Sequence, residues 1–293
     1  MTTDGIPPRI TVLGATGAVG LEFLRIFEQR NVDPARIRLL ASSRSAGKSL
    51  RLADTDITVK DSASATYQPG EIVLLSAGSG TAKAIAPAIT KADAFAIDNS
   101  SAFRMDPGVP LIVPEVNSHE LASRPKLIAN PNCSTIIMLV ALGPLHKAFG
   151  IERIDVATYQ AISGAGAAAL AEFDAATAAA VAGEPTPDPV IFREPTAFNV
   201  FSHDSDTDPT TGVNVEEQKM IDETHKILDD DTIAVSPICM RVPVRRTHTE
   251  AITVLLRTPT TEAAIRELLA GSPSLAVLDD RDSNNFPTAL KAA

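Results

Sequence analysis

The sequence has few of the residues that mark several large protein classes. Among 293 residues it has two cysteines, Cys133 and Cys239, no tryptophan and 4% aromatic residues. Two thiols are too few for a disulfide scaffold or a cysteine-rich zinc site. No apolar run approaches the roughly 20 residues of a membrane span, and the opening MTTDGIPPRI lacks the segments of a secretory signal. We therefore expect a cytoplasmic protein with no membrane partner.

Positive charge is also scarce, because 26 Lys and Arg residues stand against 36 Asp and Glu residues, for a net charge of −10. A general nucleic-acid binder needs a basic face, so we expect no nucleic-acid partner. No pair of the five histidines has the spacing of metal ligands, so we expect no metal. The chain is 44% apolar and 21% charged, which indicates a folded protein, and its length predicts two domains.

Short apolar runs alternate with helical patterns over the first third of the sequence, which is typical of an α/β domain with a parallel sheet. The pattern predicts helices at residues 18–29 and 81–91, and strands at residues 9–13, 36–41, 71–76, 94–98 and 126–129. The segment 42–70 is too mixed for its strands to be placed. We therefore predict a nucleotide-binding domain over residues 1–132.

A second, α+β domain is predicted over residues 133–293. It opens with the helical run CSTIIMLVALGPLHKAF, which we expect Gly143-Pro144 to kink or end. Further strands are predicted at 151–163, 232–244 and 249–258, and further helices at 165–182, 215–228 and 261–269. The segment 183–208 is rich in Pro, Asp and Thr and predicts a long irregular connection, of the kind that often serves a site or an interface.

A glycine-rich turn, GATGAVG, joins the first predicted strand to the first predicted helix. Such a turn lets backbone N–H groups approach a pyrophosphate at the positive end of the helix. The candidate cofactor-binding residues are Gly14, Thr16, Gly17, Ala18 and Val19. The alternative is an ordinary tight turn, since glycine patterns alone are weak evidence.

The end of the second predicted strand indicates which cofactor is bound. NAD-selective sites place a carboxylate there to bind the ribose 2′-OH, whereas this sequence reads LLASSRSAGK, with Ser43 and Arg44 and no carboxylate. Hydroxyl groups and a guanidinium suit a 2′-phosphate, so NADP is predicted rather than NAD. The alternative is a solvated basic loop.

Cys133 lies in NPNCST, directly before the apolar helical run. A thiol at the N-terminus of a helix experiences the positive end of the helix dipole, which favours the nucleophilic thiolate. The alternative, a buried structural cysteine, suits Cys239 better, because its surroundings, AVSPICMRV, resemble a core strand.

His248 is the most interesting of the five histidines. It lies in RVPVRRTHTEA, close to Arg241, Arg245 and Arg246. Neighbouring cations favour a neutral imidazole, which is able to shuttle a proton near neutral pH. The alternative is a surface histidine beside a basic loop.

Taken together, these stretches resemble the aspartate-β-semialdehyde dehydrogenase family. The motifs occur in the family's order between residue 10 and about residue 258: GATGAVG, SSRSAGK, SAGS, DNSSAFR, VPEVN, NPNCST, QAISGAG, EEQKM and RVPVRRTHTEA. The resemblance implies an NADP-binding Rossmann domain, a second domain for catalysis and dimerisation, and a homodimer or a dimer of dimers. It also implies a C-terminal segment beyond FPT that this sequence does not contain.

The resemblance further implies reductive dephosphorylation of L-aspartyl-4-phosphate to L-aspartate 4-semialdehyde, with NADPH as hydride donor, in the biosynthesis of lysine, methionine and threonine. Cys133 would be the nucleophile, His248 the acid/base, and Gln160 the residue that orients the substrate. Ser163 and Gly164, in QAISGAG, would contact the cofactor.

Four further residues are implied to bind the substrate. Arg104 and Lys219 would bind phosphate, and Arg241 would bind the substrate carboxylate. Glu216 or Glu217 would bind the amino group, and Glu216 is preferred because it lies three residues before Lys219, on the same helix face. A solvated salt-bridge stripe is the alternative for such a pair.

Two other functions compete with this one. N-acetyl-γ-glutamyl-phosphate reductases share the fold and chemistry, but they typically have Gly-Cys-Tyr where this sequence has Asn132-Cys133-Ser134. Their substrate also has no free amine for Glu216 to bind. The second alternative is a non-catalytic homologue that binds only a nucleotide or a partner.

Overall fold

A computed structural model describes residues 8–292 and divides into two compact units. The first contains the residues up to Ile112 together with Ser118–Pro131, and the second contains Val113–Asn117 together with the residues from Asn132 onward. The predicted boundary, between residues 132 and 133, lies one residue beyond the second division. Val113–Asn117 is too short to show a hydrophobic period, so the sequence pattern could not predict that it belongs to the second unit.

The first unit contains a parallel six-stranded sheet of the predicted kind. The strands of this unit, in chain order, are β1 Ile10–Leu13, β2 Ile37–Ala41, β3 Ser49–Leu52, β4 Thr55–Thr58, β5 Lys60–Asp61, β6 Ile72–Leu75, β7 Phe95–Asp98 and β8 Leu127–Ala129. The sheet has the order β5-β2-β1-β6-β7-β8, and β3 pairs with β4 as a separate hairpin. From β1 the chain continues to β2 on one side and later to β6 on the other side, so β1 lies where the strand order changes direction. A loop at the end of β1 therefore lies where open α/β sheets bind ligands.

Helices cover both faces of this sheet, which explains why its strands are continuous apolar runs. Helix α1 (Ala18–Gln29) contributes Leu24 and Phe27 to a core with Val12 of β1. Helix α2 (Ser79–Lys91) contributes Ile89 to a second core with Leu13, the next residue of β1. Because successive side chains of a strand point to opposite faces, both faces are buried.

The second unit is a mixed α+β domain, as predicted. Its strands are β9 Ile151–Gln160, β10 Phe201–Ser202, β11 Ala234–Arg241 and β12 Thr249–Leu256, and its helices are α3 Pro114–Asn117, α4 Cys133–Phe149, α5 Ala167–Ala182, α6 Val215–Leu228, α7 Glu262–Ala270 and α8 Ala289–Ala292. The sheet has the order β10-β11-β9-β12. Strand β11 pairs with β9 in parallel, and the other two pairs are antiparallel.

Helix α4 passes through Gly143-Pro144 without ending there, so the prediction of a helix end at this pair is wrong. Proline inside a helix removes one backbone N–H donor, a loss that surrounding packing can outweigh. The glycine has a packing reason, because a Cβ atom at Gly143 would lie 3.0 Å from Cγ2 of Val116 on α3. Gly143 therefore permits a close approach of α4 to α3.

Glu250 of β12 is an unusual buried carboxyl group in this unit. Both carboxylate oxygens are buried and have no hydrogen-bond partner among the described residues. Its partner in the sheet register is Thr158 of β9. Burial raises the pKa of Glu250 to about 8, so the folded protein holds this carboxyl group in its neutral form at neutral pH.

We expect Glu250→Gln to change how stability depends on pH. Because the folded pKa is raised, the unfolded state loses the proton first, and wild-type stability falls as pH rises from about 4.5 to about 8. The slope is at most about 1.4 kcal/mol per pH unit. Urea unfolding at pH 5, 6.5 and 8 should therefore show that the free energy of unfolding of Glu250→Gln increases relative to that of the wild type as pH rises. Glu267→Gln, at an exposed position of α7, is the control, and equal slopes for wild type and Glu250→Gln would contradict the assignment.

Candidate active site

The glycine-rich turn connects β1 to α1 in the first unit. Gly14 has φ +91°, and a Cβ atom there would lie 2.3 Å from the Ser76 carbonyl oxygen. Gly17 is the N-cap of α1, with no side-chain cap and no acidic residue in the first turn. The backbone N–H groups of Ala18 and Val19 therefore stand at an uncapped positive helix end, which suits the pyrophosphate of a dinucleotide.

A basic loop follows β2 and contacts the glycine-rich turn. Its Ser43 and Arg44 are exposed, and the Thr16 hydroxyl donates to Ser45 Oγ at 3.3 Å. A hydroxyl and a guanidinium without a carboxylate fit a 2′-phosphate. The residues present therefore fit NADP.

Arg104 also lies in the first unit and is nine-tenths buried. Its Nε donates to the carbonyl oxygens of Ser100 and Asn130, and its Nη2 donates to that of Asn99. These three carbonyl oxygens hold the guanidinium in place. The remaining substrate-binding candidates, Gln160, Glu216, Lys219 and Arg241, lie in the second unit.

The two predicted catalytic residues meet in the second unit. Cys133 is the first residue of α4 and is exposed, and its Sγ lies 3.3 Å from His248 Nε2. The other ring nitrogen, Nδ1, accepts the backbone N–H of Ala161 at 2.8 Å. Burial, followed by the neighbouring Arg241, lowers the pKa of His248 to about 4. The imidazole is therefore neutral at physiological pH.

Asn132 holds the start of α4. Its Oδ1 accepts the N–H groups of Ser134 and Thr135, so it is the helix N-cap. Its backbone N–H donates to the Glu223 carboxylate at 2.6 Å, and its Nδ2 donates to Glu216 Oε1 at 2.8 Å. One side chain therefore orders the helix end that presents Cys133 and connects it to α6.

Glu216 is a buried carboxylate surrounded by donors. Besides Asn132, Gln160 Nε2 donates to its Oε1 at 3.1 Å, and Lys219 Nζ donates to its Oε2 at 3.1 Å. Burial alone would raise its pKa, but Lys219, Asn132 and His203 together outweigh burial and lower the pKa to about 2. Glu216 is therefore ionised at neutral pH and faces Gln160 and Lys219.

Glu217 is the other glutamate that the sequence offered for binding the amino group, and its hydrogen bonds stabilise the fold. Its backbone N–H and its Oε2 form a capping box with Asn214 at the start of α6. Its Oε1 accepts the backbone N–H of Cys239 at 3.0 Å. Glu217 is thus bound to backbone N–H groups of the fold, whereas Glu216 contacts the candidate site residues Gln160 and Lys219, which favours Glu216 as the amine-binding candidate.

Arg241 is buried, with 4% of its surface exposed. Its Nη1 donates to the Ala161 carbonyl oxygen at 3.1 Å, and its Nη2 lies 2.9 Å from His203 Nε2 and 3.5 Å from Asp204 Oδ1. The guanidinium also stacks over the Phe192 ring at 5.3 Å. Its Nε is buried without a partner among the described residues, so a donor remains for a carboxylate.

Cys239 has the surroundings of a structural cysteine. It is completely buried, with its Sγ 3.6 Å from the Met220 sulfur. Burial, with nearby carboxylates, raises its pKa to about 12. A thiol with so high a pKa is a poor nucleophile at neutral pH.

Several residues of the site were not singled out in the sequence. Asn132 was readable as an N-cap, since Asn directly before a helical run marks a helix start. Glu223 lies seven residues after Glu216 and therefore on the same face of α6. His203, Asp204 and Phe192 come from the irregular connection, which has no period that could place them beside Arg241.

Ser163 and Gly164 lie in the second unit, in the turn that follows β9. Ser163 donates its backbone N–H to the Arg245 carbonyl oxygen at 3.1 Å. A Cβ atom at Gly164 would lie 3.2 Å from Cε1 and 3.3 Å from Nε2 of His248. This turn therefore contacts the catalytic histidine, and its contact with the cofactor stays a prediction.

Comparisons with known proteins agree with this arrangement. Residues 9–124 match the family model of the semialdehyde dehydrogenase NAD-binding domain, and residues 142–293 match that of the semialdehyde dehydrogenase dimerisation domain. Aspartate-semialdehyde dehydrogenase of Synechocystis sp. is 42% identical over 98% of this chain and 84% of its own length. That of Legionella pneumophila is 41% identical over 97% of this chain and 82% of its own length. The chain belongs to the aspartate-semialdehyde dehydrogenase family.

A solved structure extends the similarity to the whole described fold. Aspartate-semialdehyde dehydrogenase II of Vibrio cholerae, complexed with ASA, superposes with a TM-score of 0.93 at 38% identity, covering 99% of this chain and 85% of that one. The predicted family, fold and enzyme class are therefore confirmed, as is a nicotinamide dinucleotide cofactor, whereas the preference for NADP over NAD stays a prediction. Within residues 8–292, no helix combines the length and apolar character needed to cross a membrane.

The glycine-rich turn yields a prediction with a matched control. A Cβ atom at Gly20 would lie 2.4 Å from the Gly14 carbonyl oxygen and 2.6 Å from that of Ala15, whereas at Gly17 the nearest atom is 3.3 Å away. We expect Gly20→Ala to destabilise the fold by about 1–3 kcal/mol despite alanine's helix propensity. Gly17→Ala should cost at most about 1 kcal/mol. Thermal unfolding without cofactor measures both, and equal melting temperatures would contradict this packing.

Proposed function

We propose that this chain catalyses the reversible, NADPH-dependent reductive dephosphorylation of L-aspartyl-4-phosphate with Cys133 as its nucleophile. The observation that carries the proposal is the exposed Cys133 thiol at the capped start of α4, 3.3 Å from His248 Nε2. A helix N-terminus and a neighbouring imidazole are the usual means of activating a cysteine. The buried Cys239 has neither.

Cys133 attacks the acyl phosphate in the proposed first step. The thiolate forms a C–S bond with the acyl carbon, and the C–O bond to phosphate breaks, so phosphate leaves with the electron pair. The product is a thioester on Cys133.

Bound NADPH supplies the hydride that the thioester carbon accepts. The nucleotide would be held by the glycine-rich turn and by Ser43 and Arg44, and the family resemblance also assigns Ser163 and Gly164 to it. The C–S bond to Cys133 then breaks, which releases the aldehyde and regenerates the thiolate. His248, facing Sγ, interacts with the reacting sulfur and oxygen throughout.

The polar residues of the second unit suit an aspartyl substrate. Ionised Glu216 binds the ammonium group, and the Arg241 guanidinium binds the α-carboxylate. Gln160 is held between Glu216 and the Thr158 hydroxyl, which donates to Gln160 Oε1 at 3.0 Å, so it can orient the acyl group. Lys219 is the phosphate-binding candidate of this unit, and Arg104 is that of the first unit.

Glu216 distinguishes this proposal from the nearest enzyme alternative. The substrate of N-acetyl-γ-glutamyl-phosphate reductase has no free amine, because its nitrogen is acetylated. A buried carboxylate with a pKa of about 2 would then meet an uncharged amide and gain no ion pair with the substrate. The aspartyl substrate, with its ammonium group, uses this charge.

We further propose a cytoplasmic homodimer, or a dimer of dimers, in which the second unit's sheet faces a second copy. The outer face of this sheet exposes Tyr159 at 42%, Ile238 at 58% and Leu255 at 52%. Exposed apolar residues on one sheet face are typical of an interaction surface. The match to the dimerisation-domain model supports this use.

The nucleophile is tested by comparing the two cysteines. Cys133→Ala should lower the phosphate- and NADP-dependent oxidation of aspartate semialdehyde by at least about 10³-fold, while the fold and NADP binding are retained. Cys239→Ala should keep its activity and lose on the order of 1 kcal/mol of stability through reduced packing. Steady-state assays and cofactor titrations of both folded variants measure this. Equal losses of activity would refute the assignment.

The cofactor site is tested at Arg44. Arg44→Glu replaces a charge-assisted contact to the 2′-phosphate with repulsion, so the Kd for NADP should rise about tenfold or more. The Kd for NAD should change much less. Arg51→Glu, at an exposed position of the β3–β4 hairpin, is the control. A wild-type chain that binds NAD more tightly than NADP would overturn this part of the proposal.

A further inference from the structure

The irregular segment 190–204 is fixed to the second unit at both of its ends. At its start, the Glu172 carboxylate of α5 accepts the first two backbone N–H groups of the segment, both at 2.7 Å. Near its end, strand β10 pairs with β11, and the His203 backbone N–H donates to a carbonyl oxygen of β11 at 2.8 Å. The segment therefore runs from α5 to β11, the strand that ends at Arg241.

Phe192 of this segment contacts Arg241 with one face of its ring. The residue is buried, and it packs in an apolar cluster with Ile162, Ala169 and Phe173. The guanidinium carbon of Arg241 lies 5.3 Å from the centre of the ring. A planar cation is stabilised over an aromatic face, and more so where water is excluded. Phe192 therefore holds one side of the guanidinium.

His203 contacts the edge of the same guanidinium. Its Nε2 lies 2.9 Å from Arg241 Nη2, and because arginine carries only donors, this ring nitrogen is the acceptor. Burial lowers the pKa of His203, so the ring is neutral at neutral pH and is able to accept. Nη1 donates to the Ala161 carbonyl oxygen at 3.1 Å, and Asp204 Oδ1 lies 3.5 Å from Nη2. Both terminal nitrogens of Arg241 are therefore oriented by the fold.

The guanidinium held in this way lies beside the catalytic pair. A Cβ atom at Gly164 would lie 3.7 Å from Arg241 Nη1 and 3.3 Å from His248 Nε2, so both side chains lie next to the same glycine. The Arg241 Nε is buried and has no partner among the described residues. A buried donor of this kind is costly unless a ligand accepts from it. Side chains of segment 190–204 therefore decide how Arg241 meets a ligand.

We propose that Phe192 and His203 are positioning residues that orient Arg241 toward the α-carboxylate of the substrate, so that segment 190–204 selects substrates that carry this group. The proposal rests on the proposed function, in which Arg241 binds that carboxylate. An arginine side chain has several rotatable bonds, and fixing them before binding lowers the entropic cost of capturing the ligand. A substrate without the carboxylate gains nothing from this orientation.

The aromatic contact is tested by Phe192→Leu, which removes the ring face and keeps an apolar side chain in the cluster. Phe198→Leu is the matched control, because it makes the same change in the same segment at a ring that is 73% exposed. In the phosphate- and NADP-dependent oxidation of aspartate semialdehyde, Phe192→Leu should raise KM about tenfold and leave kcat within about threefold of wild type. Phe198→Leu should match the wild type, and an unchanged KM in folded Phe192→Leu would overturn its role.

The role of His203 is tested by a pair of variants that also serves if Phe192→Leu fails to fold. His203→Gln keeps a hydrogen-bond acceptor, whereas His203→Leu removes it, so KM should rise about tenfold in His203→Leu and stay within about threefold of wild type in His203→Gln. Equal KM values for the two folded variants would contradict this role.

A second aldehyde separates positioning of Arg241 from general packing. 3-Aminopropanal is aspartate semialdehyde without the α-carboxylate. For this substrate, kcat/KM of Phe192→Leu and His203→Leu should stay within about twofold of wild type, since the contact that these residues support is not formed. An equal fall of kcat/KM for both aldehydes would show that the two residues support the packing of the whole site, and would overturn the proposal.

Binding without turnover keeps this proposal separate from the proposed function. L-Aspartate carries the same ammonium and α-carboxylate groups as the substrate, whereas β-alanine lacks the α-carboxylate. In protein labelled with nitrogen-15 arginine, the Arg241 Nε–H signal, assigned with Arg241→Lys, should shift with L-aspartate and much less with β-alanine. Half-saturation should need about tenfold more L-aspartate in Phe192→Leu and His203→Leu.

An absent shift with L-aspartate in the wild type, or equal half-saturation in wild type and both variants, would overturn the positioning role. A wild type that does not turn over aspartate semialdehyde would defeat the proposed function, and the titration would still decide whether Phe192 and His203 orient Arg241 for a carboxylate.

Discussion

The capped start of α4 is the interaction on which the rest of the site depends. Asn132 satisfies the N–H groups of Ser134 and Thr135, while Glu216 and Glu223 of α6 receive its own donors. The same side chain therefore fixes the direction in which Cys133 leaves the helix and the position of the Glu216 carboxylate. Without this side chain, the N–H groups of Ser134 and Thr135 and the buried Glu216 carboxylate would each lose a partner at once.

The charges around this helix end are arranged so that each remains in one state. Glu216 stays ionised because Lys219 and Asn132 outweigh its burial, with a pKa of about 2, and His248 stays neutral, with a pKa of about 4. An anionic carboxylate and a neutral imidazole next to a thiol allow substrate binding and nucleophilic attack at one pH. Separated pKa values of this kind are typical of groups with different roles in one site.

Much of this was predictable from the sequence, for identifiable reasons. The parallel strands are continuous apolar runs, and Cys133 follows an evident helix-start signal, so both could be located by pattern. The contacts of His203 and Phe192 with Arg241 could not be, because they come from an irregular segment without periodicity. The packing reason for Gly143 in α4 could not be predicted either, since its close neighbour Val116 lies 27 residues away in the sequence. Local patterns locate elements, whereas long-range packing decides which side chains meet.

The central claim, that Cys133 forms the covalent intermediate, is tested most directly by trapping that intermediate. Incubation with aspartate semialdehyde and NADP in the absence of phosphate leaves the thioester without its acceptor, so it should accumulate. Rapid acid quenching and peptide mass spectrometry should then find the aspartyl group on the peptide that contains Cys133. Modification of the Cys239 peptide instead, or turnover with no acylated Cys133 at any time, would contradict the account.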